Sequence, residues 1–276
     1  MAGPIPPSLP LPALPPAHGV LVTGGARRLG AAICEAFAQA GWPVWCQYRG
    51  SREAAESLCG RLRDEGHRAT AIEADIATEP GREALVAAAS AGAPLACIVN
   101  NASAFEPDSA LDFDPEAALR QLGVNLIAPL SFARLLARQA AAGDGIDRSA
   151  IHILDQKVYN LNPDYFSYTV SKLALERAVA LQAQALAPAM RVCGVAPGLM
   201  FESGPQDHDN FVRASRVNLM RRPIDAADVA RTCVFLAATP GVTGSTLCVD
   251  NGQHLVPLER DVMFVVDDLL KKDPAP

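Results

Sequence analysis

Tyr168 and Lys172 stand four residues apart, and Asp155 precedes Tyr168 by thirteen. On a helix, positions i and i+4 share one face, so an ammonium is presented beside a phenol. Such a neighbour stabilises a phenolate and lowers a pKa that starts near about 10, giving a group able to pass protons near neutral pH. Asp155, in the run Ile-Leu-Asp-Gln-Lys-Val-Tyr, adds a carboxyl group that serves as acid or as acceptor. A phenol, an ammonium and a carboxyl group in this spacing suit proton delivery to a reacting atom.

A second constellation is Thr23-Gly24-Gly25-Ala26-Arg27-Arg28-Leu29-Gly30, between an apolar run and an amphipathic stretch. Glycines at a strand-to-helix turn let the backbone approach a pyrophosphate held by helix N-terminal amides. At the end of the second apolar run stand Gln47-Tyr48-Arg49-Gly50-Ser51-Arg52. An acidic residue there would receive a ribose 2′-hydroxyl; Arg49, Ser51 and Arg52, with Arg28 across the turn, suit a 2′-phosphate, so NADPH is favoured over NADH. Asp75 and Ile76, at the end of the third run, are placed to cap the adenine.

These residues need a scaffold that brings distant segments together. Apolar runs alternate with amphipathic stretches from His18 to about Val249, the pattern of a parallel sheet with helices on both faces. Strands are expected near 18–23, 43–48, 69–74, 95–100, 149–155, 190–195 and 245–249. Helices are expected notably over 29–40, 52–65, 115–141, 165–186 and 226–238. Ligands of such sheets sit beyond the carboxyl ends of the strands, where Thr23, Asn100, Asp155 and Pro197 fall. The polar, turn-rich stretch from Gly198 to Arg216 reads as a lid, with Asp207 and His208 as candidates to reach substrate. His152, inside a strand, reads as a satisfied core histidine.

Composition narrows the partners. A net charge of −6 argues against nucleic acid and anionic membrane surfaces, leaving a small-molecule substrate. The seven cysteines form no Cys-x-x-Cys and suit a reducing cytoplasm, and no metal site is expected. The uncharged stretch from Ala84 to Phe105 is broken by Gly92-Ala93-Pro94 and Asn100-Asn101, so it reads as helix end, turn and buried strand rather than a membrane span. The expected organisation is a Pro-rich leader over 1–17, extended and without the charge pattern of a secretory signal, one domain over 18–255, and a C-terminal extension over 256–276 whose apolar residues dock on a neighbouring subunit.

With Asn100-Asn101-Ala102-Ser103, Val124-Asn125 and Pro197-Gly198 in order between and after these motifs, the chain resembles the short-chain dehydrogenase/reductase family over about residues 18–253. Three departures from the usual family pattern are similar to the pteridine and dihydromonapterin reductases: Arg28 where another glycine is usual, Ser103 where glycine usually ends the Asn-Asn-Ala segment, and Asp155 in place of serine. The resemblance implies an α/β, single-domain, Rossmann-type doubly wound parallel sheet of about seven strands. It also implies an NADP-dependent oxidoreductase that transfers hydride from NADPH to a C=N bond of a dihydropteridine such as dihydromonapterin, dihydrobiopterin or dihydrofolate.

The same resemblance implies the roles. Tyr168 donates a proton, Asp155 delivers or relays one, Asn125 supports the relay, and Lys172 holds the nicotinamide ribose and tunes Tyr168. Ser103 meets the pterin edge and the cofactor phosphates, and Phe105 sandwiches the pterin against the nicotinamide. Gly24, Leu29, Gly30, Asn101 and Ala102 line the cofactor, and Pro197, Gly198 and Leu199 border the nicotinamide. A homotetramer is implied by analogy. Which of Asp155 and Tyr168 protonates the ring nitrogen stays open, as does the choice between pterin and folate. Two rivals are carried: a reductase of ketones or 3-oxoacyl thioesters, against which the acidic Glu202, Asp207 and Asp209 lean, and a non-catalytic NADP-binding sensor, which would have no need of Tyr168, Lys172 and Asn125.

Overall fold

The computed structural model describes residues 18–140, 144–204 and 206–266. Seven parallel strands form one sheet: β1 (Gly19–Val22), β2 (Val44–Tyr48), β3 (Ala69–Glu73), β4 (Leu95–Asn100), β5 (Ser149–Ile153), β6 (Arg191–Pro197) and β7 (Thr246–Val249), in the spatial order β3-β2-β1-β4-β5-β6-β7. Parallel sheets need both faces covered, so their strands are apolar throughout rather than alternating. β1, β2, β4, β5 and β6 are buried along their whole length.

Side chains two apart on a strand share a face. Val20 and Val22 therefore join one core with α1 (Arg28–Gln39), α2 (Arg52–Asp64) and α8 (Ala226–Ala238), through Phe37, Leu62 and Leu236. Leu21 points the other way, into a core with α3 (Glu79–Gly92), α5 (Ala128–Arg138) and α6 (Phe166–Leu186), through Leu85, Phe132 and Leu175. The chain reverses direction across the sheet between β1 and β4, and a crevice opens at that point beyond the strand ends.

All seven expected strands are present, and β5 stops at Ile153, two residues short of its expected end. The helix expected over 115–141 is interrupted. α4 (Pro115–Leu122) runs into a single π turn, Gly123–Ile127, before α5 resumes. Pro129 has no N–H to donate to the carbonyl four residues back, that of Asn125, which explains why the ladder widens there. The expected lid contains a short helix, α7 (His208–Ala214), capped by Asp207, whose carboxylate accepts from Asn210 N at 2.7 Å.

The leader over 1–17 lies outside the described residues, as does the extension beyond Val266. The part of the extension that is described packs on its own chain. Val262 and Val266 close over Ala214, and Met263 lies against Tyr165 and Tyr168. Among the described residues no helix is long and apolar enough to cross a membrane, no group of three or more His, Cys, Asp or Glu is arranged to hold a metal, and all seven cysteines are free thiols.

Candidate active site

Two cavities meet beyond the strand ends. One, of about 590 Å³, runs from the glycine turn past Arg49 to Asp75 and Ile76. The other, of about 330 Å³, is floored by Asp155, Tyr168 and Lys172 and walled by Pro197, Gly198 and Leu199. Arg28, Leu29, Asn101, Ser103, Phe105 and Phe201 border both, so the two form one crevice.

The larger cavity is built by the β1–α1 turn. Gly24 has φ +61°, and a Cβ added at Gly30 would lie 2.1 Å from the Gly24 carbonyl oxygen and 2.8 Å from Asn101 Nδ2. Only a bare backbone fits here. α1 starts without a side-chain cap, which leaves its first N–H groups available to an anion. Gly24 N–H donates to Gln47 Oε1 (2.8 Å), while Gln47 Nε2 donates to the Ala74 carbonyl (2.8 Å), so one buried amide ties the turn to the end of β3. Thr23 Oγ1 accepts from the backbone N–H groups of Asn101 and Ala102 at 3.0 and 3.1 Å, and Asn101 Nδ2 donates to the carbonyls of Thr23 and Gly24. Gly30→Ala should destabilise the protein by about 1–3 kcal/mol and abolish dinucleotide binding. Thermal unfolding and a cofactor-fluorescence titration check both.

Arg28 adopts φ +51°, a left-handed conformation costing roughly 1 kcal/mol or more for a non-glycine residue. Its guanidinium is held by the carbonyl oxygen of Glu202 and lies 5.7 Å from the centre of the Phe201 ring, linking the glycine turn to the lid segment. Arg49 and Arg27 border the same cavity, Arg27 being a residue that the sequence reading passed over. Arg52 points elsewhere, paired with Glu73 on β3, and Ser51, at the start of α2, does not line the cavity. The basic cluster is thus Arg27, Arg28 and Arg49 rather than Arg28, Arg49 and Arg52. An extended side chain at position 52 reaches the β3 carboxylate across the strand-end gap, a contact without a local sequence signal.

In the smaller cavity, Tyr168 lies in the first turn of α6, which is fixed by Asp108 accepting from Ser167 N–H at 3.0 Å. Its hydroxyl donates to Asp155 Oδ2 at 2.8 Å, and the other oxygen of Asp155 accepts from Lys157 N–H at 2.8 Å, capping the short turn Gln156–Val158. Asp155 therefore both closes the chain turn and meets the phenol. Burial raises its carboxyl above the usual range, against the lowering effect of these two hydrogen bonds and of Lys157 and Lys172.

Lys172 differs from expectation. Its Nζ donates to the Ile153 carbonyl at 2.7 Å and lies 5.7 Å from the Tyr168 ring centre. Burial lowers its pKa to about 8, Asp155 acting in the opposite direction. Tyr168 is not acidified. Burial first, and then the Asp155 charge, hold its pKa well above the ordinary value, so the phenol keeps its proton and the titratable acid is the carboxyl-phenol couple.

Asn125 is buried in the π turn and borders neither cavity. Its amide brackets Ala104, accepting from Ala104 N–H and donating to the Ala104 carbonyl at 2.8 Å each, and it also takes the Ser103 hydroxyl at 3.2 Å and donates to Ser171 Oγ at 3.0 Å. It holds the loop that carries Ser103 and Phe105. One face of Phe105 is covered by Tyr165, with ring centres 4.2 Å apart, and its ring meets Tyr168 edge to face at 4.7 Å; it remains 36% exposed.

His208 and Asp207 border neither cavity; His208 Nδ1 pairs with Glu202 at 2.7 Å on the surface. His152 is fully buried between Asn100 and Gln182, its pKa lowered by burial to about 4, a neutral core group.

This geometry has close relatives. The sequence model of the family described as Enoyl-(Acyl carrier protein) reductase matches residues 24–254. A dihydromonapterin reductase of Citrobacter koseri is 31% identical over 244 residues, 86% of this chain and 96% of that protein. An uncharacterized oxidoreductase of Mycobacterium tuberculosis is 32% identical over 84% of this chain and 90% of its own length. Among solved structures, FolM alternative dihydrofolate reductase 1 from Brucella suis, in complex with NADP, superposes with a TM-score of 0.82 at 35% identity, over 87% of this chain and 96% of that one. The ordered motifs, the sheet order and these matches over nearly the whole domain have one explanation: the chain belongs to the short-chain dehydrogenase/reductase family.

Proposed function

We propose that the protein is an NADPH-dependent reductase of the ring C=N bond of a dihydropterin, with dihydromonapterin, dihydrobiopterin and dihydrofolate as candidate substrates. The observation that carries this is the Tyr168–Asp155 hydrogen bond on the floor of the smaller cavity, beneath Phe105. A ketone needs its oxygen polarised; an imine nitrogen needs a proton. A buried carboxyl group whose pKa is raised, joined to a phenol that keeps its own proton, is suited to the second task. The names of the relatives, a dihydromonapterin reductase and an alternative dihydrofolate reductase with NADP, support the same reading.

The larger cavity fits the cofactor, since its turn admits no Cβ and its basic residues suit a 2′-phosphate. Bound there, NADPH supplies hydride. The α1 N-terminus and the Gly24–Gly30 turn would hold the pyrophosphate, Arg28 and Arg49 the 2′-phosphate, Asp75 and Ile76 the adenine, and Lys172 the nicotinamide ribose. Asp155 and Tyr168 hold the proton beside the substrate nitrogen, and Asn125 keeps the Ser103–Phe105 loop in place against the ring. We keep one domain over 18–255, and an assembly through the α4–α5 stretch and α6 accords with exposed Leu119 on α4, Ile127 in the π turn, and Val170 and Leu181 on α6, a tetramer being the family analogy.

Purified protein should oxidise NADPH with dihydromonapterin, dihydrobiopterin or dihydrofolate and not with acetoacetyl thioesters or simple ketones. Turnover confined to the carbonyl panel would make it a carbonyl reductase; NADPH binding without any turnover would favour a sensor. For cofactor choice, Arg28→Ala with Arg49→Ala should raise the KM for NADPH roughly 10- to 100-fold and leave that for NADH nearly unchanged. Equal effects on both would remove the 2′-phosphate assignment.

A further inference from the structure

The C-terminal segment 258–266 does more than cover the core. Leu258, Asp261, Val262 and Met263 line the same cavity as Asp155. Side chains of three of its residues pin the segment to the chain between Asp155 and Tyr168. Arg260 forms a bidentate pair with Asp164 at 2.6 to 2.9 Å, Met263 Sδ accepts from the Tyr165 hydroxyl at 3.4 Å, and Asp261 Oδ2 accepts from Lys157 Nζ at 3.3 Å.

Lys157 is the unusual member. Its side chain is 4% exposed, a degree of burial that lysine tolerates only with its charge matched. Its ammonium donates to the Asp164 carbonyl at 2.7 Å, lies 5.3 Å from the Tyr165 ring centre, and has Asp261 as its carboxylate partner. Its backbone N–H is the one that holds Asp155 Oδ1. One residue thus grips the candidate acid with its main chain and the C-terminal segment with its side chain.

We propose that Asp261 and Lys157 form a positioning pair for the acid, making the C-terminal segment part of the catalytic machinery of its own chain. This rests on the reading of Asp155 as the proton-holding group. Asp261 keeps the ammonium seated, the seated lysine fixes the turn that presents Asp155 to Tyr168, and the opposed charges of the pair set the field at Asp155. The ionisable groups facing Asp155 are Tyr168 and Lys172 from α6 and Lys157 from its own turn, with Asp261 behind Lys157; Pro197, Gly198 and Leu199 bring none.

The pair predicts shifts of opposite sign, which a purely structural role would not give. Lys157→Met removes the cation and leaves the Asp261 carboxylate unmatched, so the descending limb of the kcat/KM–pH profile that Asp155 governs should move up by about one unit. Asp261→Asn leaves the ammonium unmatched, and the same limb should move down by a similar amount. The limb is identified as the one that Asp155→Asn abolishes. Shifts in the same direction, or a limb unmoved in both variants, would overturn the proposal while leaving the role of Asp155 standing; a wild-type profile without an Asp155-dependent limb would remove both. If Lys157→Met does not fold, the sign of the shift in Asp261→Asn alone decides.

Discussion

Tyr168→Phe should reduce kcat on a dihydropterin by about 10²- to 10⁴-fold while NADPH binds almost as before. The ring stays in place: Phe105 meets it edge to face, a contact that does not need the hydroxyl. What is lost is the O–H that donates to Asp155 at 2.8 Å, and with it the route between the carboxyl group and the substrate nitrogen. Because burial and the Asp155 charge keep this phenol protonated, its part is to carry a proton rather than to act as a standing phenolate. Single-turnover kinetics with a separate NADPH titration check the assignment; a parallel collapse of binding and turnover would show that Tyr168 had been given the wrong role.

Asp155→Asn should be slower by a similar factor, about 10²- to 10⁴-fold, and yet more stable than the wild type near neutral pH. The amide oxygen of asparagine can still accept from Lys157 N–H, so the cap of the turn survives, but no proton can be given up. The pH dependence has a definite sign. The folded-state pKa of Asp155 lies above its ordinary value of 3.8, so its contribution to stability is fully present below that value and is lost as pH rises through the folded pKa. Above the ordinary carboxyl value, folding must either bury the charge of Asp155 or take up a proton to neutralise it, and asparagine meets neither cost. The melting temperature of Asp155→Asn should exceed that of the wild type near pH 7 and lose the advantage by about pH 3. A variant that is less stable at both values would mean that the carboxylate's hydrogen bonds outweigh its desolvation.

The wild-type rate should follow the same logic. Activity that needs a protonated Asp155 falls as pH rises through its raised pKa, and a second loss is expected near pH 8 as Lys172, lowered to about 8, gives up its charge.

Much of this was legible in the chain. Period and composition determined the seven strands, because a parallel sheet buried on both faces leaves apolar runs that no other element explains, and located five helical stretches, one of which the structure divides at the π turn. The glycine turn was legible because its constraint is local: at Gly30 the backbone leaves 2.1 Å for a Cβ, and the residue type records that. The i, i+4 relation of Tyr168 and Lys172 was legible because helix geometry turns that spacing into proximity, whereas the part of Asp155, across an irregular stretch thirteen residues earlier, was legible only through the family resemblance.

Tertiary packing decided the rest. Whether Lys172 acidifies Tyr168 depended on where Nζ found an acceptor, and it found the Ile153 carbonyl. Which arginines face the cofactor cavity depended on Glu73, at the end of β3, capturing Arg52 from the start of α2. Gln47, Lys157 and Asp261 acquire their parts only through partners that lie 23 to 104 residues away along the chain. Sequence alone determined the succession of strands and helices, the glycine turn and the candidate proton-handling groups, because periodicity and local backbone constraints are written in residue type and spacing. The protonation states of those groups and the wall that the C-terminal segment builds around them were decided by the tertiary structure, because burial and long-range partners set both.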